Sequence, residues 1–205
     1  IMGVRDATRG EDSRNQLVST LPEAKERLSV EKLDLDDSNS IAQFVETVVT
    51  KYGKIDCLVN NAGIAMKNAP FNEETVEKVL RTNYYGTTEL TERLKSFIND
   101  SGKIVIMGST AGRLIKIKTP ELKNAFSVSD LNKERLDSLC NDFYQSVVNG
   151  SYTRKGWYEN PLYMSKLLLN HYAKVLANDM EIKSRDIQSY ACCPGWVRTD
   201  MGGPD

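Results

Sequence analysis

Two short apolar runs closed by small turn formers, Asp56-Cys57-Leu58-Val59-Asn60 and Lys103-Ile104-Val105-Ile106-Met107-Gly108, constrain this chain more than any other feature. Each has the length of a strand, and apolar residues at successive positions mark a strand buried on both faces. Amphipathic stretches lie around them, at Ser38–Tyr52, at 72–98 with breaks, and at 160–182. Residues 27–33 and 187–193 read as further strands, so the order is β-α-β-α-β-α-β. Strands joined through helices pair in parallel, and the expected fold class is α/β, a doubly wound parallel sheet covered by helices on both faces. Ligands bind such sheets beyond the carboxyl ends of the strands. The residues there are Asp34-Leu35, Asn60-Asn61-Ala62-Gly63, Ser109-Thr110 and Pro194-Gly195. Gly and Ala let backbone approach a flat or charged ligand, and Asn and Ser supply oriented hydrogen bonds. The same residue types also serve any strand-to-helix turn.

Composition narrows the partners. Of 205 residues, 40% are hydrophobic, enough for one substantial core, and a single domain over 1–205 is expected. Lys and Arg number 27 against 28 Asp and Glu, so no basic field draws in nucleic acid or an anionic membrane. A small-molecule substrate is the expected partner. No apolar run approaches the roughly 20 residues of a spanning helix. The opening Ile1-Met2-Gly3-Val4-Arg5-Asp6 lacks the features of a secretory signal and does not start at Met, which suggests a chain cut from a longer one. Cys57, Cys140, Cys192 and Cys193 form no C-x-x-C, and His171 is the single histidine, so no zinc site is expected. They read as reduced, buried thiols of a cytoplasmic protein, with Cys192-Cys193 a strand end. Residues 113–155 interrupt the alternation with a polar, mostly helical stretch, read as an insertion that walls a cleft.

The strings Leu58-Val59-Asn60-Asn61-Ala62-Gly63 and Thr82-Asn83-Tyr84-Tyr85-Gly86-Thr87, a strand ending at Ser109, then Lys166 and Cys193-Pro194-Gly195, resemble the short-chain dehydrogenase/reductase family. Arg5-Asp6-Ala7-Thr8-Arg9-Gly10, the insertion, Lys155-Gly156-Trp157 and the stretch from Ala191 through Trp196-Val197-Arg198-Thr199-Asp200-Met201 are similar to its NADPH-dependent carbonyl reductases. The resemblance implies a Rossmann-like fold that reduces ketones, quinones and aldehydes by hydride transfer while a Tyr protonates the carbonyl oxygen. By that resemblance Asn83 holds loop geometry and a relay water, and Ser109 hydrogen-bonds the substrate oxygen. Lys166 binds the ribose and favours ionisation of the Tyr. Arg5 and Arg9 favour the 2′-phosphate of NADPH over the free hydroxyl of NADH, although surface arginines are often merely solvated. Asp34 and Leu35 would flank the adenine, Asn61, Ala62 and Gly63 the ribose and pyrophosphate, and Pro194, Gly195, Val197, Arg198 and Thr199 the nicotinamide. The insertion implies a monomer, because it covers the surface that other members use to dimerise.

Two departures from the family pattern matter. Its glycine-rich phosphate turn and first strand have no counterpart, so the sheet is expected to lack a central strand, and also the last one. The family's catalytic pair is Y-x-x-x-K, whereas here Tyr163-Met164-Ser165-Lys166 is one residue shorter and Leu162 occupies the Tyr slot. One residue on a helix is about 100° and ~1.5 Å. Asn160-Pro161 reads as a cap followed by Pro at the first helical position, where a helix start can adjust, so Tyr163 stays a candidate proton donor beside the alternative of a cleft-covering tyrosine. Trp157 could wall the substrate or simply pack, the first favoured by its nearness to the Tyr, and Met66 is a candidate substrate contact, followed by Lys67 and Asn68. Trp196 could stack on substrate or pack, and His171 reads as a packed residue. The competing functional readings are a binding scaffold or inactive fragment of the same fold and, more weakly, a nucleotide-binding methyltransferase.

Overall fold

A computed structural model describes residues 1–199 and Met201. Strand β1 (Met2–Val4), helix α1 (Ala7–Thr20) and β2 (Val30–Lys32) form a parallel β-α-β unit with Met2 beside Val30 and Val4 beside Lys32. Helix α2 (Ser38–Tyr52) leads to β3 (Ile55–Asn60). Helix α3 (Glu73–Leu80), a π turn (Arg81–Gly86) and α4 (Thr87–Leu94) precede β4 (Ile98–Met107). Helices α5 (Pro120–Ser127), α6 (Lys133–Val148) and α7 (Tyr152–Lys155) fill most of the stretch read as an insertion. Helices α8 (Pro161–Asn178) and α9 (Met180–Ser184) then return the chain to β5 (Gln188–Cys192). The second sheet is parallel in the order β3-β4-β5, with Leu58, Ile104 and Ser189 in register.

The elements follow the sequence signals closely. Asn160 caps α8 by accepting from the Tyr163 amide at 3.1 Å, with Pro161 at the first helical position. Helix α1 carries no apolar stripe, and periodicity does not mark it. Asp6 caps it, and its one buried residue, Gly10, lies so close to β1 and β2 that a Cβ would meet Val4 at 2.6 Å and Val30 at 2.8 Å.

The sheet is split. Strands β1 and β3 are not hydrogen-bonded to each other, and between them runs a cavity of about 730 Å³ lined by Gly3, Val4, Leu33, Phe44, Val59 and Leu90. It lies where the resemblance leads one to expect a missing central strand. Helices and loops join the halves instead: α2 packs on α4, and the loop after β2 is fastened to the segment around the π turn. The Asp36 carboxylate accepts from Lys78 Nζ and from Thr82 Oγ1 at 2.5 Å, while Arg81 donates to the Asp36 carbonyl at 2.5 Å. Burial raises the Asp36 pKa, but the bonds from Lys78 and Thr82 outweigh it and hold the carboxyl below its ordinary range. Beside them Leu35 lies on Gly86, where a Cβ would stand 2.2 Å from the Leu35 oxygen.

The helical layers also differ from expectation. The β1–β2 pair has α1 on one side, against Val4 and Val30, and Phe44 of α2 beside Gly3. In β3-β4-β5, Leu58, Ile104 and Ile106 are buried under α4 and α8. On the opposite face Val59 and Tyr190, aligned through Val105, remain 54% and 44% exposed. Side chains alternate along a strand, so Cys57 and Cys192 share that open face. This corrects the expectation of buried thiols: Cys57, Cys192 and Cys193 are exposed, and Cys140 alone is buried, its pKa pushed up by burial to about 12.

Trp157 belongs to the core. It is 1% exposed, meets Phe143 at 5.4 Å and Phe126 at 6.2 Å between ring centroids, and donates its indole N–H to Asp142 at 3.0 Å. His171 is also packed, with Nδ1 2.9 Å from the Leu167 carbonyl and its ring 5.0 Å from Phe126.

Gly86→Ala is predicted to cost about 1–3 kcal/mol, because a methyl group must displace the Leu35 backbone; the urea midpoint reads the loss. Burial lowers the His171 pKa, the Leu167 carbonyl opposing it and Lys174 adding to it. The unfolded chain therefore takes up a proton near pH ~6.5 before the folded one does. That contribution to stability is full above this pH and is lost as pH falls through the lowered folded-state pKa. Urea midpoints at about pH 7.5 and pH 5.5 should diverge less for His171→Gln than for the parent.

Candidate active site

The strand ends meet on one side of the molecule. Asp36, after β2, touches Thr82; Asn83, next in the π turn, holds Ile64 after β3; Ser109 follows β4; and the Thr110 amide donates to Cys193 Sγ, just past β5, at 3.4 Å.

Asn83 is the hub of this edge. It is 1% exposed, and its Oδ1 accepts from the Ile64 amide at 2.8 Å. Its Nδ2 donates to the Ile64 carbonyl at 2.9 Å and to Ser165 Oγ on α8 at 3.0 Å. One side chain thus ties the loop carrying Asn61, Ala62 and Gly63 to the helix carrying Lys166. A π turn is an insertion within helical winding and is frequent at functional sites.

Ser109 leaves β4 in extended conformation and caps a single 3₁₀ turn (Thr110–Gly112), its Oγ accepting from the Ala111 amide at 3.0 Å. Lys166 reaches back across this turn and donates from Nζ to the Met107 carbonyl at 2.5 Å. Burial lowers the Lys166 pKa, and the nearby Cys193 sulfur opposes that shift. The Cys193 thiol is held below its ordinary range by the Gly195 and Thr110 amides, against a smaller opposing effect of burial. Asn83, Ser109 and Lys166 therefore converge around the first half of α8. Two partners in this arrangement, Ser165 and Asn170, escaped the motif reading; Asn170 stands at i+4 from Lys166, a spacing that puts both on one helix face.

Tyr163 sits differently. Its ring stacks on Tyr158 with centroids 5.4 Å apart and planes 11° from parallel, and Lys116 Nζ lies 5.3 Å from the Tyr158 ring centre. Leu162 stands a helical turn before Lys166, in register with the family's tyrosine slot.

Arg5 and Arg9 are exposed where β1 meets α1. The Asp34 side chain is engaged in its own turn, accepting from the Asp36 amide at 3.0 Å. Leu35 is 8% exposed and packs on Gly86, so its side chain offers little surface to a ligand. Asn61 and Ala62 are exposed and Gly63 half-buried. Met66 is 39% exposed with a positive φ of 39°. Pro194, Gly195, Val197, Arg198 and Thr199 are exposed, as is Trp196, and Gly195 takes a φ of 74° that favours glycine. Asp200 lies outside the described residues. Trp157, expected as a substrate wall, is instead sealed in the core by Phe126, Phe143 and Asp142. Among the described residues no cluster of His, Cys, Asp or Glu could hold a metal ion.

Residues 3–120 match the family described as short chain dehydrogenase. Carbonyl reductase (NADPH) 1 of Homo sapiens is 34% identical over 212 residues, spanning 100% of this chain and 74% of the relative. The Rattus norvegicus protein of the same name is 32% identical over the same shares. Among solved structures, menthone neomenthol reductase from Mentha piperita has a TM-score of 0.84 at 26% identity, covering 94% of this chain and 79% of that one. Salutaridine reductase from Papaver somniferum has a TM-score of 0.83 at 26% identity, covering 97% and 78%. With Asn83, Ser109 and Lys166 gathered at the strand ends and two relatives above 30% identity, the chain belongs to the short-chain dehydrogenase/reductase family.

Proposed function

We propose that the protein reduces carbonyl compounds with NADPH, in the manner named for its carbonyl reductase relatives. The observation that carries this reading is the convergence of Asn83, Ser109 and the Lys166 ammonium around the first half of α8, beside the ends of β3 and β4. The residues fit the cofactor at both ends. Arg5 and Arg9 present exposed guanidinium groups beyond β1, suited to a 2′-phosphate, and Lys166 offers a partly desolvated ammonium to ribose hydroxyls. Asn61, Ala62 and Gly63 would line the ribose and pyrophosphate, Asp34 and the Leu35 backbone the adenine side, and Pro194, Gly195, Val197, Arg198 and Thr199 the nicotinamide. NADPH supplies the hydride.

The chain's own residues supply position and charge. Ser109 Oγ accepts the Ala111 N–H, and its hydroxyl proton, which faces Cys193 Sγ, would turn to a carbonyl oxygen acquiring negative charge. Lys166, anchored on the Met107 carbonyl, holds a positive charge beside that oxygen. Asn83 fixes the loop and helix relative to each other. Tyr163 is the proposed proton donor, with Met66 at the substrate side. The segment 113–155, whose α6 packs on α3 and α8, is proposed as a cleft wall within a single domain, and the monomer is proposed from the family resemblance of that insertion. A cytoplasmic location rests on reading the thiols as reduced. No helix among the described residues is long and apolar enough to cross a membrane.

A second reading, a fold that binds NADPH without turnover, has one observation in its favour: the Tyr163 ring is stacked on Tyr158.

NADPH oxidation with menadione or an aromatic ketone tests the proposal, and binding of NADPH with every carbonyl left untouched supports the scaffold instead. Lys166→Ala should lower kcat by at least about 100-fold. The paired exchange Leu162→Tyr with Tyr163→Leu should raise it by about tenfold or more. An unchanged rate after the exchange would overturn the register argument that sets Leu162, and not Tyr163, in the proton donor's place. Because burial lowers the Lys166 pKa, turnover should decline with rising pH at values below the ~10.4 of a free lysine.

A further inference from the structure

We propose that Asn170 is a positioning residue that sets the place of the Ser109 hydroxyl, an inference that rests on the carbonyl-reductase reading for its consequence in turnover. Asn170 lies four residues after Lys166 on α8, so its side chain emerges on the same face one turn along. Its Oδ1 accepts from the Ser109 amide at 3.3 Å, and its Nδ2 donates to the Ser109 carbonyl at 2.9 Å and to the Gly112 carbonyl at 3.0 Å. Both backbone groups of Ser109 and the end of the following 3₁₀ turn therefore close on one amide. Only one orientation of that amide works: its oxygen must face the lone N–H and its nitrogen the two carbonyls.

The surrounding glycines allow this clamp to form. A Cβ at Gly108 would stand 2.1 Å from Asn170 Oδ1, and a Cβ at Gly112 would stand 2.5 Å from the Lys166 backbone. The turn carrying Ser109 thus lies directly on the helix backbone between Lys166 and Asn170. Lys166 fixes Met107 two residues before Ser109, and Asn170 fixes Ser109 itself. With its backbone at φ −164° and ψ 150° bonded to Asn170, and its Oγ accepting from the Ala111 amide beside Cys193 Sγ, the Ser109 hydroxyl has a defined place on the turn. A hydrogen-bond donor to a developing oxyanion acts through such preorganisation, and displacing it by about 1 Å can cost about 100-fold.

The test compares the parent chain with Asn170→Ala, Ser109→Ala and the double variant, each assayed for NADPH-dependent ketone reduction, for NADPH affinity by fluorescence titration, and for Ser109 amide exchange. The expected result is a kcat at least about tenfold lower in Asn170→Ala with NADPH affinity within twofold, and no further loss when Asn170→Ala is added to Ser109→Ala. A structural residue would instead lower kcat by the same factor in both backgrounds, which overturns the proposal, as does an undiminished kcat in Asn170→Ala. The exchange measurement is independent of turnover. Losing its acceptor, the Ser109 amide should exchange faster in Asn170→Ala at an unchanged rate for the β4 core amides, and unaltered protection overturns the clamp. If the parent chain itself reduces no ketone, the functional reading fails while the exchange result still decides whether Asn170 holds Ser109.

Discussion

Helix α8 lying against the carboxyl end of β4 is the contact on which the functional edge of this protein depends. Three of its polar side chains reach off the helix in succession: Ser165 to Asn83, Lys166 to Met107, and Asn170 to Ser109 and Gly112. Beneath them Leu167, Leu168, Leu169 and Tyr172 are buried, so the apolar face secures the helix while the polar groups set its register. Hydrogen bonds alone would contribute little net stability. Backed by a close-packed core, they select one arrangement among many of nearly equal burial.

The split between β1–β2 and β3-β4-β5 does not disrupt this edge, because the halves are joined above the sheet and not through it. The Asp36 cluster, the Leu35 contact with Gly86 and the α2–α4 packing keep the end of β2 beside the π turn, one residue from Asn83. The same loops therefore fasten the half-sheets and connect the arginine-bearing unit to the lysine-bearing one. The apolar cavity between β1 and β3, and the open face bearing Val59 and Tyr190, are less ordinary for a parallel sheet, which usually buries both faces.

Much of this was legible in the sequence where one dominant physical cause acts. Apolar runs located β3 and β4, helical periodicity located α2, and the Asn160-Pro161 cap located the start of α8. The strand-end rule singles out Ser109 alone of the three central residues; Asn83 and Lys166 lie in helical segments and are expected from the family resemblance of their motifs. What escaped depends on partners distant in sequence. Trp157 could wall a substrate or pack as far as the sequence goes, and Phe126, Phe143 and Asp142 closing around it decide for packing. Cys57 sits in an apolar strand, yet exposure there is decided by what covers the sheet. Asn170 is a lone amide within an amphipathic helix, and only the return of the turn at Ser109 gives it a task. The register of Tyr163 shows the same limit: spacing revealed the slip, whereas the stack on Tyr158 arises from tertiary packing.

The most direct measurement follows the transferred atom. The chain is incubated with an aromatic ketone and NADPH carrying deuterium on one face of the nicotinamide C4, and the alcohol is analysed by mass spectrometry and NMR. If the strand-end residues hold nicotinamide and carbonyl together, one of the two labelled forms of NADPH delivers deuterium to the carbinol carbon and the other does not. Alcohol formed without label from either, or no alcohol beside demonstrable NADPH binding, would contradict the account.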